Sequence, residues 1–421
     1  MTRLLRYASL CISALLLIVV AGCGDILEVD NPNTLIEGDL NNPSASTAMA
    51  NGVEASLTRG LGAMHAPYHT ATDELTWIGS RDAWGQLDEG SLSDRINEFT
   101  DAAFPYLAEA RWQADDFISR VEAFRSEGNL QDDTDLARLY LYGAITYTSI
   151  ADMFEDYPIG SNRQEGAPPV GRENMAGLYD TALTYIENAL SLTDAGTDLH
   201  TTLLGMKARA LYSRAVWPKV NPAGQVDTAN PLVNDPAAVT AAQDALDAMS
   251  EDFEYELELI SSSPGLVVGD LSMALQVNSR AELGFGTEYV QPNPDGTYNP
   301  GDETSAVSFT DMITGEVHPY IKTTIDNFVA EGQFADITIV TAREMHAILA
   351  EAALAGNASV DFAEQVNAIR SVHGIAPYDG QGDAAFERDL LEQTRQVNLF
   401  LQGRRLVDHY RFEDASPEWT G

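Results

Sequence analysis

Cysteine is nearly absent from this 421-residue chain: there are two, Cys11 and Cys23, both within the first 23 residues. Beyond them there is no thiol for a disulfide framework, a thiolate metal site or a cysteine nucleophile, so packing must supply the stability. Lysine is scarce as well. Only Lys207, Lys219 and Lys322 occur, and 24 basic residues face 64 acidic ones, for a formal net charge of −40. Such a surface repels phosphate backbones and excludes nucleic acid as a partner. The apolar run Leu10 to Ala21 is clearly shorter than the roughly 20 residues needed to span a hydrocarbon core, which favours a cleaved signal over a transmembrane anchor there. Catalytic signatures are missing too. There is no Gly-x-Ser-x-Gly elbow, His-Glu-x-x-His helix or Walker loop, and Gly284-Phe-Gly286 lacks the third glycine and preceding strand of a dinucleotide site. Among so many acids, no pair stands out as the acid and base of a glycosidase.

What is present begins at the N-terminus. Arg3 and Arg6 give a basic start, Leu10 to Ala21 an apolar run, and Val20-Ala21-Gly22 a small-residue site ahead of Cys23. This arrangement resembles a bacterial lipoprotein signal with its lipobox, so residues 1–22 are expected to be removed. The resemblance implies a thioether-linked diacylglycerol and an amide-linked fatty acid on Cys23, and several acyl chains hold a protein on a membrane stably. Gly24, rather than aspartate, follows the cysteine and predicts the outer membrane. The excess of acid with so little lysine suits life at high salt, where screening suppresses self-repulsion.

With 421 residues the chain exceeds one ordinary domain, so two domains or a repeat architecture is expected. A polar tether over 23–42 gives way to Ala-rich and Leu-rich amphipathic segments over 43–260. Leu136, Leu139, Tyr140, Gly143, Tyr147, Ile150 and Phe154 recur at helical spacing and stop before Pro158; Met175 to Leu190 and Thr201 to Trp217 repeat the theme. The Tyr140, Gly143, Tyr147 arrangement resembles a degenerate tetratricopeptide unit, in which a small residue lets two helices approach. Over 261–335, Pro-Gly-rich turns predict a loop-rich insertion without helical periodicity. Helices return over 336–421: Thr341 to Leu354, with Thr341 and Glu344 at capping-box spacing; Asp361 to His373, with Asp361 as N-cap; and Ala384 to Gln402. The fold class predicted is all-α, made of tetratricopeptide-like helix pairs in a superhelical scaffold.

Ala350-Glu-Ala352, Gly356, Asn367 with Arg370, and Gly403-Arg-Arg405-Leu-Val-Asp408-His-Tyr-Arg411 resemble the C-terminal signature of the SusD/RagB nutrient-uptake lipoproteins. Asp25-Ile-Leu-Glu-Val-Asp-Asn-Pro, the Thr72-Asp-Glu-Leu loop and Tyr140 to Ile159 resemble other parts of the same family. Where the family often has glutamates, this chain has Thr394, Asn398 and Gln402, which puts the ion pairs around Arg395 and Arg405 in question; isolated pairs contribute modestly. The signature is read as holding the C-terminal helices together, with no ligand contact. The resemblance implies a cell-surface protein on the outer membrane that captures an oligosaccharide, peptide or other nutrient and delivers it to a SusC-type TonB-dependent transporter, without catalysis and without a cofactor.

Sugars present apolar ring faces rimmed by hydroxyls, so a glycan site needs exposed aromatic planes beside carboxylates, amides and guanidinium groups. Asp73, Trp77, Arg81, Asp82 and Trp84 offer that mixture in a stretch without clear helical periodicity, and Tyr289 and Tyr298 in the insertion are candidates to complete it. The competing expectation is that Trp77 and Trp84 anchor the loop, while Trp112 and Trp217 belong to the core. His65 and His69 are four apart, but Pro67 between them and the want of a third ligand make them loop residues rather than zinc ligands. Asp295 to Asn299 and Asp379 to Asp383 are acid-rich turns that do not fit a calcium loop; no metal is expected. A hydrolase, or a tetratricopeptide scaffold binding only protein, is the alternative.

Overall fold

A computed structural model describes residues 38–91, 96–160, 166–221, 229–259, 271–417 and 419. The signal, Cys23 and the start of the tether lie outside the described residues. Gly38 to Ala45 makes two short 3-10 turns, in which Asn42 accepts the backbone N–H of Ser44 through its side chain (3.0 Å) and that of Ala45 through its carbonyl (2.9 Å).

From Ser46 onward the chain forms one unit dominated by helices. In chain order these are α1 (Ser46–Thr70), α2 (Asp82–Asp88), α3 (Glu98–Ser126), α4 (Thr134–Met153), α5 (Gly177–Leu190), α6 (Asp198–Val220) and α7 (Pro236–Ala248). Then come α8 (Met273–Asn278), α9 (Pro319–Ala330), α10 (Ala342–Leu354), α11 (Phe362–Val372), α12 (Ala384–Asn398) and α13 (Arg405–Phe412). The longer helices pack in pairs, α1 with α3, α4 with α5, α6 with α7 and α10 with α11. Why α4 sits at the centre is plain from its residues: Leu136 to Ala151 is buried almost all round, the predicted stripe as far as Ile150 included. A Cβ on Gly143 would lie 2.8 Å from the Tyr185 ring, and Tyr140 and Tyr147 flank that ring at 5.6 and 5.9 Å. Asp115 of α3 accepts the hydroxyls of both Tyr147 (2.7 Å) and Tyr185 (2.8 Å), so one small residue and three tyrosines lock three helices together.

The sheet content among the described residues is three two-stranded antiparallel ladders. β1 (Leu75–Trp77) pairs with β3 (Leu283–Phe285), β2 (Glu254–Leu257) with β6 (Ile337–Thr341), and β4 (Val290–Gln291) with β5 (Ala306–Val307). Two of these ladders cross the boundaries drawn in the sequence at 260 and 335, so the three regions interleave. The insertion also carries helix: α9 has Pro319 at its first turn and Ile321, Ile325 and Phe328 buried on one face. Its core joins Phe285, Tyr289 and Phe309 to Phe400 and Trp84 from distant segments.

Prolines depart from the sequence reading. Pro67 and Pro218 both sit inside helices, within the last turn of α1 and of α6. A proline near the C-terminal end forfeits one backbone bond yet leaves little helix after it to disrupt. His65 and His69 are therefore helical and buried, not loop residues, with ring centroids 5.0 Å apart. Predicted caps hold: Thr341 Oγ1 accepts the Glu344 N–H (3.0 Å) and Asp361 Oδ1 that of Glu364 (2.8 Å), while Gly356 and Gly374 end their helices at positive φ. The Glu344 carboxylate turns instead to Arg404, 3.2 Å away.

Candidate ligand-binding surface

The chain enters the candidate segment from α1 through a buried acidic corner. His69 Nδ1 lies 2.5 Å from Glu74 Oε2, and the other Glu74 oxygen accepts the Leu401 N–H at 2.8 Å. Asp73 receives Arg405 Nη2 at 2.6 Å and Nε at 2.9 and 3.1 Å, and Gln396 and Tyr289 close the shell at 3.3 and 3.4 Å. Burial pushes the Asp73 carboxyl up, but the hydrogen bonds from Arg405 and His409 outweigh it and hold the group well below the usual carboxylate range. Asp73, His409 and Asp414 stand at metal-like spacing, yet the Arg405 guanidinium already supplies the positive charge between Asp73 and Asp414.

Past that corner the stretch is ordered, not a loop. β1 ends at Trp77, and the turn 78–81 wraps Glu282: its carbonyl accepts Ile78 and Gly79 N–H at 3.1 Å each, and its carboxylate accepts Ser80 and Arg81 N–H at 2.9 and 3.1 Å. A side chain at Gly79 would collide with Glu282, its Cβ falling 2.6 Å from the glutamate Cα. Asp88, at the end of α2, accepts Thr76 Oγ1 and Trp77 N at 3.0 Å each. The helix that follows carries Asp82 outward and Trp84 inward.

These placements divide the predicted site. Trp84 is fully buried and stacks on Phe99 with centroids 3.7 Å apart and planes 7° from parallel, leaving no ring face for a ligand. Tyr289 is also fully buried, stacked on Phe309 at 5.3 Å and tilted against Phe400 at 4.6 Å. Asp73 is sealed beneath Arg405. Tyr298 is mostly buried, its hydroxyl donating to Asp326 at 2.5 Å. Tertiary packing won over the loop reading at these four positions: Phe99 covers Trp84, Arg405 seals Asp73, Phe309 and Phe400 enclose Tyr289, and Asp326 takes the Tyr298 hydroxyl. Trp77, Arg81 and Asp82 remain at the surface, Trp77 half-buried against Gly85 with its Nε1 buried and unpartnered. Arg81 lies over the Phe99 ring at 4.6 Å and pairs with Glu98 at 2.5 Å. Leu283, the β3 partner of Trp77, lines a hollow of about 150 Å³ together with Phe285, Thr297, Tyr298 and Asn299.

Two expectations about tryptophan fail in the other direction. Trp112 and Trp217 are only half-buried rather than core, and Trp217 borders a larger hollow between the ends of α4 and α6 and the helix α13. Its place beside Pro218, at the helix end, was the available signal.

The ion pairs questioned in the sequence are present, with different partners. Arg395 binds Asp408 at 2.8 Å, Arg411 binds Glu351 at 2.5 Å and Asp408 at 2.9 Å, and Glu351 also accepts the Tyr212 hydroxyl at 2.6 Å. Burial raises Asp408, but Arg395 and Arg411 bring it down to about 2. Arg370 binds Asp311 at 2.6 Å, and Asn367 clasps the Tyr378 backbone on both sides, at 2.9 and 2.7 Å. The charged residues of the signature are thus used in the interior, whereas Tyr410 is exposed. Asp295 and Asp379 cap their own turns, accepting the N–H groups of Thr297 at 3.1 Å and Gln381 at 3.0 Å.

No protein-family profile and no curated protein matches the chain. Solved structures do. A SusD superfamily protein from Parabacteroides distasonis aligns with a TM-score of 0.59 at 13% identity, over 90% of this chain and 89% of that one. A SusD-like carbohydrate binding protein from Bacteroides vulgatus gives 0.55 at 13%, over 88% and 83%. A protein crystallised with a xylogluco-oligosaccharide gives 0.57 at 13%, over 87% and 82%. The chain has the fold shared by these structures, in agreement with the resemblance carried by its C-terminal motif.

Proposed function

We propose that this protein, having the SusD-superfamily fold, is an outer-membrane lipoprotein that captures a nutrient glycan and passes it to a SusC-type TonB-dependent barrel. The observation that carries the reading is the match of the fold along about nine-tenths of the chain to that superfamily. Sugar as ligand is supported by two of the similar structures, one described as carbohydrate binding and one holding a xylogluco-oligosaccharide. It is also supported by Trp77, Arg81 and Asp82, which keep an aromatic ring, a guanidinium and a carboxylate at the surface of one segment.

In this reading Cys23 carries the lipid, the polar tether leads to the folded unit, and the binding face looks outward from the cell. Capture without catalysis agrees with the chemistry of the acids: Asp73 raises the neighbouring Glu288 carboxyl, but Asp73 is buried under Arg405 and cannot straddle a glycosidic bond. The test has two arms. Full-length protein extracted in mild detergent is expected to bring down a TonB-dependent barrel encoded beside it, and a glycan array probed with it is expected to light up for one saccharide class. An array blank throughout, together with recovery of the protein alone, overturns the reading.

A further inference from the structure

Far along the chain from the predicted site, the ends of α4 and α6 and one face of α13 enclose a cleft of about 500 Å³. That volume falls in the range of small-molecule sites, on the order of 300–1,000 Å³. Its walls are Phe154, Trp217, Leu406 and Tyr410, and Asp152 and Asn221 stand among them. The local reason is a division of faces on α13. Asp408 and Arg411 turn into the buried ion network, whereas Leu406 and Tyr410, four residues apart, share another face. Tyr410 is 39% exposed, among the few large apolar side chains left open in the described residues.

At its inner end the cleft meets a smaller hollow of about 40 Å³, the two having Asp152, Trp217, Val220, Asn221 and Val407 in common. Arg404 lines the inner hollow and is 7% exposed. Its Nε donates to Glu344 at 3.2 Å and its Nη1 to the Gln402 carbonyl at 2.5 Å, but its Nη2 is buried with no hydrogen-bond partner. Leaving a buried charged donor unmatched costs free energy that an incoming oxygen would recover. An indole and a phenol at the mouth, the Asn221 amide, an Asp152 carboxylate that already accepts Tyr179 and Arg209 and has lone pairs to spare, and a spare guanidinium N–H within make the donor and acceptor set of a sugar site.

We propose that this cleft is a second glycan subsite, taking one uncharged sugar unit against Trp217 and Tyr410 with a hydroxyl directed to Arg404 and Asp152. The inference rests on the capture reading and adds a binding place to it. An acidic sugar is disfavoured by the chain's net charge of −40; Asp152 and Glu155 in the lining are paired with Arg209 and Arg172.

The experiment is calorimetric titration of full-length protein in detergent with xylogluco-, cello-, malto- and xylo-oligosaccharides, for wild type, Trp217→Ala, Tyr410→Ala and Trp77→Ala with Arg81→Ala. Melting temperature is recorded for each. Tyr410 is 39% exposed and stands outside the buried ion network, so its alanine variant keeps the test meaningful if Trp217→Ala folds poorly. For whichever saccharide wild type binds, Tyr410→Ala is expected to weaken binding about tenfold or more, and a folded Trp217→Ala likewise. A change below about twofold in Tyr410→Ala overturns the subsite. Should the Trp77 and Arg81 variant alone lose binding, the subsite falls and the capture reading stands. Should wild type bind none of the four, the subsite falls, and the capture reading is decided by the glycan array and the recovery of the barrel.

Discussion

Asp73 and Arg405, 332 residues apart in the chain, meet in the interior through a 2.6 Å bond from Nη2 to Oδ2, with 1% and 7% of their side chains exposed. The pair joins the corner that follows α1 to the helix that ends the fold, and Leu401 reinforces it by bonding to the neighbouring Glu74. A charge pair buried this deeply contributes little net stability over a well-packed apolar pair, but losing one partner strands the other.

Replacing Arg405 with methionine is therefore expected to destabilise the protein by about 3–5 kcal/mol, since Asp73 is left uncompensated. Urea unfolding measures it. The double variant Asp73→Asn with Arg405→Met should recover a large part of the loss, and a double variant as unstable as the single one would contradict the pairing.

This relationship also marks where the sequence stops being readable. Local rules placed Thr341, Asp361, Gly356 and Gly374 at helix ends because a cap depends on residues three or four positions away. The stripe in α4 and the Gly143 contact were legible for the same reason, since each follows from helical period. The candidate site was legible only in part. Trp84 and Tyr289 looked available because nothing within ten residues covers them; the residues that do, Phe99 for one and Phe309 with Phe400 for the other, come from other elements. Likewise the partners of Arg395 and Arg405 could not be paired by spacing, for they lie on α10, α13 and the turn after α1.

Tryptophan substitutions should separate support from recognition. Trp84→Ala removes a buried ring stacked on Phe99 and is expected to cost about 3–5 kcal/mol, read as a fall in denaturation midpoint. Trp77→Ala with Arg81→Ala removes half-exposed groups and should leave the midpoint nearly in place while changing oligosaccharide affinity. If the two variants lose stability equally, the surface edge is structural after all.

The pH profile carries opposed contributions. Burial and the neighbouring Asp73 raise the Glu288 carboxyl from its ordinary 4.5 to about 7. Folded protein then keeps a proton that unfolded chain has released, so this group makes stability fall as pH rises across that window. Burial lowers His318 and His373 to about 4, so below about 6.5 the unfolded chain takes up protons the folded protein refuses, and stability falls as pH drops. Glu288→Gln removes the first contribution alone. Between about pH 5 and about pH 7 its melting temperature should climb more steeply than that of wild type. Glu288 is exposed, so screening keeps the difference below about 1 kcal/mol. Parallel curves would show that Glu288 titrates normally.

Salt should stabilise this protein. A net charge of −40 on one chain repels itself, and screening shortens that repulsion to about 3 Å at 1 M ionic strength. The melting temperature is expected to rise from low salt toward molar sodium chloride; a flat response would mean that the acids are already compensated and that the composition reflects something other than a saline habitat.

Capture without catalysis is tested most directly by calorimetric titration of the chain from Gly24 onward, in high salt, against oligosaccharides and peptides, followed by chromatography of each mixture. The predicted result is saturable binding of one saccharide class with every oligosaccharide recovered at its original length. Shortened products, or binding of peptides alone, would contradict it.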